Sequence, residues 1–535
     1  MGWIKIKDKL NCWDEERHYK VLVACWLATV FSSFFGTTLF SFQISAIGHI
    51  FPFRILLLAT SLVYTLWVIR GKDSFLKESS VLEKWVYLFI VIMLLYGVLS
   101  VPRAIDIIWT FRKLFNLSID MLFFFLALRL CRRKKIFRYT MYVCAMGMAI
   151  VCVMGIYEVF FGGIFYHTYD SRKWFLLFGE HFQSPMVTFA NTNDYCMSLC
   201  FFSAIFLMIQ TESRTVKNTQ KYFLVVLFAV VYFLAQAAFA RLCIAVCWIL
   251  FLAFSVSTLI ARKSAGWICL TVLVLWMGVH FANQYENIVS HAVDVVGVKL
   301  NSTTLEDNTF SKVARSNVEK LCCLDRFDTE DVLPENTWQQ ELALCDENAE
   351  KSLLQVQYLK DRKENGRFGQ TVSESDNGRL QLMLHAISCF VDSYGLGVGL
   401  GNAETLAPDN INISGWEYTS QYSIHCFILR VIADYGIFAL IPLCIIAYLL
   451  LSKLWKLFLI GWREKDAIMI AKAIMFSACV LIYPIASTAS SEAQDSIPMW
   501  IYLAVVVTLI NRVELSVNRT NDKSMRLAGD SMMDH

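Results

Sequence analysis

Charge is what this chain has least of. Only 17% of its 535 residues are Asp, Glu, Lys or Arg, against 56% that are hydrophobic. A soluble domain carries about 25% charged and about 45–50% apolar residues. Lys and Arg nearly balance Asp and Glu, leaving a net charge of +3, so no acidic or basic excess points to nucleic acid. No CxxC pair and no Cys/His spacing suits zinc. No small-residue cleavage site follows the first apolar block, which argues against a removable signal peptide. Internal repeats, low-complexity tracts and long Pro- or Gly-rich linkers are also lacking.

What is there comes in apolar blocks of roughly twenty residues, the length that crosses a hydrocarbon core as a helix. The alternating pattern of a membrane barrel does not occur. The sequence therefore predicts an all-α polytopic membrane protein, since lipid offers backbone polar groups no partners. Twelve spans are expected, at 21–46, 50–69, 84–100, 106–130, 137–161, 186–209, 221–240, 242–261, 264–283, 422–451, 467–487 and 496–512. Most of the 17 cysteines fall inside these blocks, where they read as small hydrophobic residues. Cys322, Cys323 and Cys345 lie in a polar stretch, where a disulfide stays open.

Basic clusters follow alternate spans: Arg70, Lys72 and Lys77; Arg132 to Lys135 and Arg138; Arg214 and Lys217; Arg262 and Lys263; Lys453, Lys456, Arg463 and Lys465; Arg512. Together with the basic N-terminus they set one side as cytoplasmic. The expected plan is 1–283 as nine spans, 284–421 as an extracytoplasmic loop domain, 422–512 as three more spans, and 513–535 as a cytoplasmic tail. The loop domain holds a helical, acidic insert at about 300–376. Its charge disfavours gripping an anion, so no chemistry is expected there.

Chemistry is sought where polar residues stand at outer membrane edges. Arg241 sits in the short turn between two spans. An ionisable group at membrane depth is a functional candidate, and an arginine snorkelling to the interface is the competing reading. Arg379 follows Asp376-Asn377-Gly378, which reads as the start of a helix. That helix carries Leu380, Met383, Leu384, Ile387 and Val391 on one stripe and is expected along the outer surface. Guanidinium pairs well with phosphate; an exposed arginine is the alternative. Gly395, Gly397, Gly399 and Gly401 permit a tight, backbone-exposed loop. They lack the third glycine of a dinucleotide fingerprint, and a helix rather than a strand precedes them. His425 stands just before the tenth span, suited to accept a proton near neutral pH or simply structural. His385, on a helix face, is a weaker candidate. Asn191 and Asn193 open the sixth span, as caps or as ligand contacts.

In this order the pieces resemble the superfamily of O-antigen ligases and Wzy-type polysaccharide polymerases. The motifs are an arginine-led helix at Arg379, the glycine run GLGVGLGN, a variable loop, His425, and Asp434-Tyr435-Gly436. FANTND and Arg241 resemble the family's earlier motifs. The likeness covers about 185–445, and it departs at Cys426, where the family often has asparagine. The resemblance implies an inverting, metal-independent glycosyltransferase without cofactors, facing outward in the bacterial inner membrane. Its donor would be an oligosaccharide on undecaprenyl diphosphate and its acceptor a glycan or a lipid-linked glycan. Arg241 and Arg379, with Asn191 and Asn193, would bind substrate, and His425 would be the catalytic base. Polymerase is favoured, ligase and lipid-linked glycan transporter stay open. A chain-length regulator or flippase of the same pathway is a further candidate partner.

Overall fold

The computed structural model describes residues 2–35, 42–44, 48–70, 79–161, 174–177, 180–183, 185, 187, 189, 192–212, 218–238, 240–261, 370–406, 424, 426–488 and 497–514. The expected ninth span, the insert up to 369, Asn191, His425, the three loop cysteines and the tail lie outside them. By contacts the chain divides into two compact units, 1–270 with 378–535, and 271–377.

The described elements are helical apart from two short hairpins. The helices are α1 Gly2–Ser32, α2 Pro52–Ile69, α3 Val81–Ser100, α4 Ile107–Cys131, α5 Lys134–Phe161, α6 Thr192–Glu212, α7 Asn218–Ala237, α8 Arg241–Ala261, α9 Gln370–Asp392, α10 Asn402–Thr405, α11 Phe427–Arg463, α12 Ala467–Ser487 and α13 Ile497–Glu514. Strands β1 Phe42–Ile44 and β2 Gly48–Ile50 pair antiparallel, as do β3 Trp174–Leu177 and β4 Glu180–Gln183. Among the described residues ten helices are long and apolar enough to cross a membrane. The protein is a multi-pass α-helical membrane protein.

Local sequence explains where the helices start. Ser80 and Glu83 close a capping box on α3: the Ser80 hydroxyl accepts from the Glu83 amide, and the Glu83 carboxylate accepts from the Ser80 amide. Asp106 caps α4 by accepting from the Trp109 amide at 2.9 Å, Asp466 caps α12 in the same way, and Pro52 opens α2. Some ends depart from expectation. The first helix stops at Ser32, and Phe42–Ile44, expected as its last turns, is a strand. The run Gly36-Thr37-Thr38 explains the stop, being a poor helix former. The tenth span begins at Phe427 and runs 37 residues to Arg463. At 1.5 Å per residue this helix is far longer than a hydrocarbon core of about 30 Å.

Helix α2 shows which solvent the outer surface meets. Phe53, Leu57, Tyr64 and Trp67 are buried, and Ile55, Leu58, Leu62, Leu66 and Ile69 are exposed. Both faces are apolar, as expected for a helix between protein and lipid rather than protein and water. Inside, aromatic rings fill the gaps. Trp26 stacks on Phe123 and donates its indole N–H to Thr140 at 2.9 Å. Helix α12 packs on α8, α11 and α6, and α3 packs on α4 and α11. Cys196 and Cys200 on α6 and Cys243 and Cys247 on α8 are all buried free thiols, with the Cys200 and Cys247 sulfurs 3.7 Å apart. Such small side chains let the two backbones approach closely.

Polar contacts fix which helix ends lie together. Arg132 at the end of α4 pairs with Glu83 at the start of α3. Arg512 near the end of α13 donates to the carbonyls of Cys131 and Arg132. At the other end of α3, Tyr96 and Ser100 meet the glycine segment.

Candidate functional site

Helix α11 breaks at Gly436, nine residues after its start, with φ 60° and ψ −148°. A broken helix inside a membrane leaves carbonyls and amides that lipid cannot satisfy. The glycine segment supplies them. Val398 donates to the Ala433 carbonyl at 2.9 Å and Gly399 to the Asp434 carbonyl at 3.0 Å. In return Ile437 donates to the Gly395 carbonyl at 2.8 Å. The close approach needs glycine on both sides: a Cβ on Gly397, at φ 83°, would lie 2.5 Å from the Gly436 nitrogen.

The remaining amides of the segment are also used internally. Gly395 donates to Phe390, Leu396 to Ser393, Asn402 to Gly399, Gly397 to the Ser393 hydroxyl and Leu400 to the Ser100 hydroxyl. Tyr96 donates to the Leu396 carbonyl, and Asn402 ties Val398 and Arg103 to Ile105. The run expected as a backbone-exposed loop is therefore a splint for a broken helix. The N–H groups from Gly395 to Leu400 and that of Asn402 donate within the protein, so they are not free to cradle a phosphate.

Beside the splint lies a row of four buried ionisable side chains. Lys113 of α4 pairs with Glu404 of α10 at 3.3 Å, Glu404 with Arg430 of α11 at 3.1 Å, and Arg430 approaches Asp434 at 3.9 Å. Arg430 and Asp434 are 1% and 0% exposed. Lys113 also lies 4.6 Å from the Trp109 ring centroid. Within the row each acidic side chain has a basic neighbour, which is how buried charge is tolerated. The sequence reading named Asp434 only as part of a motif and missed Lys113, Glu404 and Arg430. Arg430 and Asp434, four residues apart in an apolar run, were the available signal.

Helix α9 is fastened to the same assembly. Ala386 and Cys389 pack with Ala403, Ile424 and Ala433 in one buried cluster, flanked by Val398 and Leu429. His385 Nε2 lies 2.9 Å from the Ala403 carbonyl; since a carbonyl only accepts, that nitrogen carries the proton. Leu380, Leu384, Ile387 and Val391 form the exposed face. Burial, with Asp434 and Asp392 adding to it, pushes the Cys389 thiol up to about 11.

The sequence candidates fall on this frame unequally. Arg379 lies within α9, which starts at Gln370, so the helix begins nine residues before the position expected. One glycine inside a helix costs only about 1 kcal/mol, less than the packing of the apolar turns beyond it stabilises, so Asp376-Asn377-Gly378 does not stop it. Ile424 and Cys426, which flank His425, are both buried. Arg241 is the first residue of α8, and Asn193, half-buried, is in the first turn of α6. Glu158 of α5 accepts from the Val187 amide at 2.7 Å. Among the described residues no group of His, Cys, Asp and Glu suits a metal ion.

No protein-family model matches the chain. Over 140 residues it is 24% identical to the "Teichuronic acid biosynthesis protein TuaE" of Bacillus subtilis (strain 168). The matched stretch is 26% of this chain and 27% of that relative, so the chain spans about a quarter of the protein it resembles.

Proposed function

We propose that the protein is a polysaccharide-building glycosyltransferase of the bacterial inner membrane. It joins oligosaccharide repeat units carried on a polyprenyl diphosphate, at the outer face. The observation that carries this reading is the shared core of α9 and the entry to α11. Ala386 and Cys389, in the helix of Arg379, pack on Ile424, the residue before His425. Two motifs forty-six positions apart in sequence are thus joined through the glycine splint. Likeness to a teichuronic acid biosynthesis protein supports the same class of product.

In the proposed reaction the acceptor hydroxyl oxygen attacks the anomeric carbon of the donor sugar. His425 takes the hydroxyl proton. The bond from that carbon to the diphosphate oxygen breaks, and polyprenyl diphosphate leaves with the electron pair. Arg241 and Arg379 balance the charge that grows on it, the role a divalent cation has elsewhere. A single base with direct displacement inverts the anomeric centre. Asn191 and Asn193 contact the substrate. Transport of the same lipid is a weaker reading: the buried Lys113 of α4 and Arg430 of α11 both pair with Glu404 rather than standing open to a cargo.

The test is chain growth by the purified protein on lipid-linked repeat units. A ladder is expected from wild type, and none from His425→Ala, Arg241→Ala or Arg379→Ala that fold normally. Transfer only to an added second acceptor would make the enzyme a ligase. Full activity in all three variants would overturn the assigned site.

A further inference from the structure

The four-charge row has no part in the proposed chemistry, yet Glu404 is the member that joins α10 to both α4 and α11. One carboxylate oxygen faces Lys113 of α4 and the other faces Arg430 of α11. Its neighbour Ala403 packs on Ala386 of α9, and the Ala403 carbonyl holds His385 of α9. Thus α10, four residues long, touches all three helices through named contacts. Thr110 of α4 reinforces it by donating to the Leu400 carbonyl. Glu404 is 2% exposed, so water does not weaken its two ion pairs.

We propose that Glu404 is a positioning residue: it holds α9 and the first turn of α11 in place against α4 by tying α10 to both Lys113 and Arg430. This rests on the function proposed above, in which Arg379 on α9 and His425 before α11 act on one substrate. A misplacement of about 1 Å costs a reaction of this kind roughly a hundredfold in rate. Loss of Glu404 would therefore lower turnover more than substrate affinity.

A merely structural role makes a different prediction, and charge balance separates the two. Glu404→Gln leaves Lys113, Arg430 and Asp434, a net positive charge, buried. Glu404→Gln with Lys113→Met leaves Arg430 and Asp434 balanced, but α4 untied. The full-length protein in detergent or nanodiscs would be followed by thermal unfolding, by kcat and KM on lipid-linked repeat units, and by spin-label distance between Leu384 on α9 and Ile108 on α4. Both labelled positions are exposed, and a label carried on a non-natural amino acid avoids the native thiols.

The single variant is expected to melt well below wild type, and the double variant near it. The double variant's kcat should stay roughly ten- to a hundredfold down, with KM little changed and the distance distribution broadened. Glu404→Asp keeps the charge but is too short to span both cations, so it should lose kcat as well. Recovery of wild-type kcat in the double variant, or a distance distribution as narrow as wild type, would overturn the proposal. If wild type neither elongates nor transfers any lipid-linked unit, the functional reading fails instead, and the distance measurement still decides whether Glu404 holds α9 and α4 together.

Discussion

Gly436→Ala tests the splint directly. At φ 60° and ψ −148° the backbone is in a region that only glycine enters freely, and an alanine held there costs roughly 2 kcal/mol. Its Cβ would also land on the Gly395 carbonyl oxygen and the Leu396 backbone. Those are main-chain atoms, so a rotamer change cannot clear them. The glycine segment must move, and movement breaks the bonds from Val398, Gly399 or Ile437 that seal the broken helix. Overpacking and one lost buried hydrogen bond add roughly 2 kcal/mol. The expected destabilisation is about 4 kcal/mol. Gly395→Ala is the control. It too has positive φ, 79°, but its Cβ would meet only the Phe390 ring, at an ordinary 3.5 Å. It should cost about 1 kcal/mol, the left-handed backbone term alone. Unfolding in detergent, followed by the fluorescence of 15 tryptophans, measures both. Equal losses in the two variants would mean that the segment does not lock against α11 as described.

Arg512→Ala should destabilise by roughly 1–3 kcal/mol, because its guanidinium serves the last carbonyls of α4 and lies 4.1 Å from the Phe137 ring. The same unfolding assay reads it, and a neutral result would show that water replaces it there. Thr29→Val should cost under about 1 kcal/mol: it removes the Thr29 hydroxyl's contacts with Thr60 and with the Cys25 carbonyl, each at 2.8 Å, and Thr60 keeps its bond to the Leu56 carbonyl. Cys389 should resist alkylation at neutral pH. A thiol pushed up to about 11 has little thiolate below that pH, and thiolate is the nucleophile, so labelling should rise only as pH climbs towards 11. Peptide-resolved mass spectrometry across pH would show this, and rapid labelling at pH 7 would contradict it.

The membrane class and most helix positions were legible because they depend on local composition. A run of apolar residues is one whatever surrounds it. The four-charge row was not legible for the opposite reason. Lys113 and Glu404 are 3.3 Å apart in space and nearly three hundred positions apart in sequence. In sequence, Lys113 is one basic residue near a helix start, and Glu404 one acid in a polar stretch. The glycine run was visible but its purpose was misjudged. Alternating glycines permit both an open loop and close backbone contact, and only Gly436 on the far side decides between them. Helix starts at Gln370 and Phe427 were misplaced because capping residues are weak signals that downstream packing overrides.

The splint has a consequence for how the proposed substrate is held. Since the amides from Gly395 to Leu400 and that of Asn402 donate within the protein, the proposed diphosphate is better met by side chains or by another helix end. Helix α8 offers both at one place. Its N-cap is Ala240, whose carbonyl accepts from Ile244. Alanine has no side-chain acceptor for the first amides, which makes it a poor cap. The next residue is Arg241, a cation at the positive end of the helix dipole, an arrangement that costs about 0.3–1 kcal/mol. For folding alone both choices are unfavourable; for the proposed binding of an anion both are favourable, because the first-turn amides of a helix and a guanidinium attract the same charge. Arg241→Ala should therefore abolish chain growth while leaving thermal stability unchanged or slightly raised. Arg512→Ala should do the reverse, lowering stability without selectively impairing growth in the folded fraction. If Arg241→Ala instead unfolds the protein as Arg512→Ala does, the arginine is a structural anchor and the diphosphate is bound elsewhere.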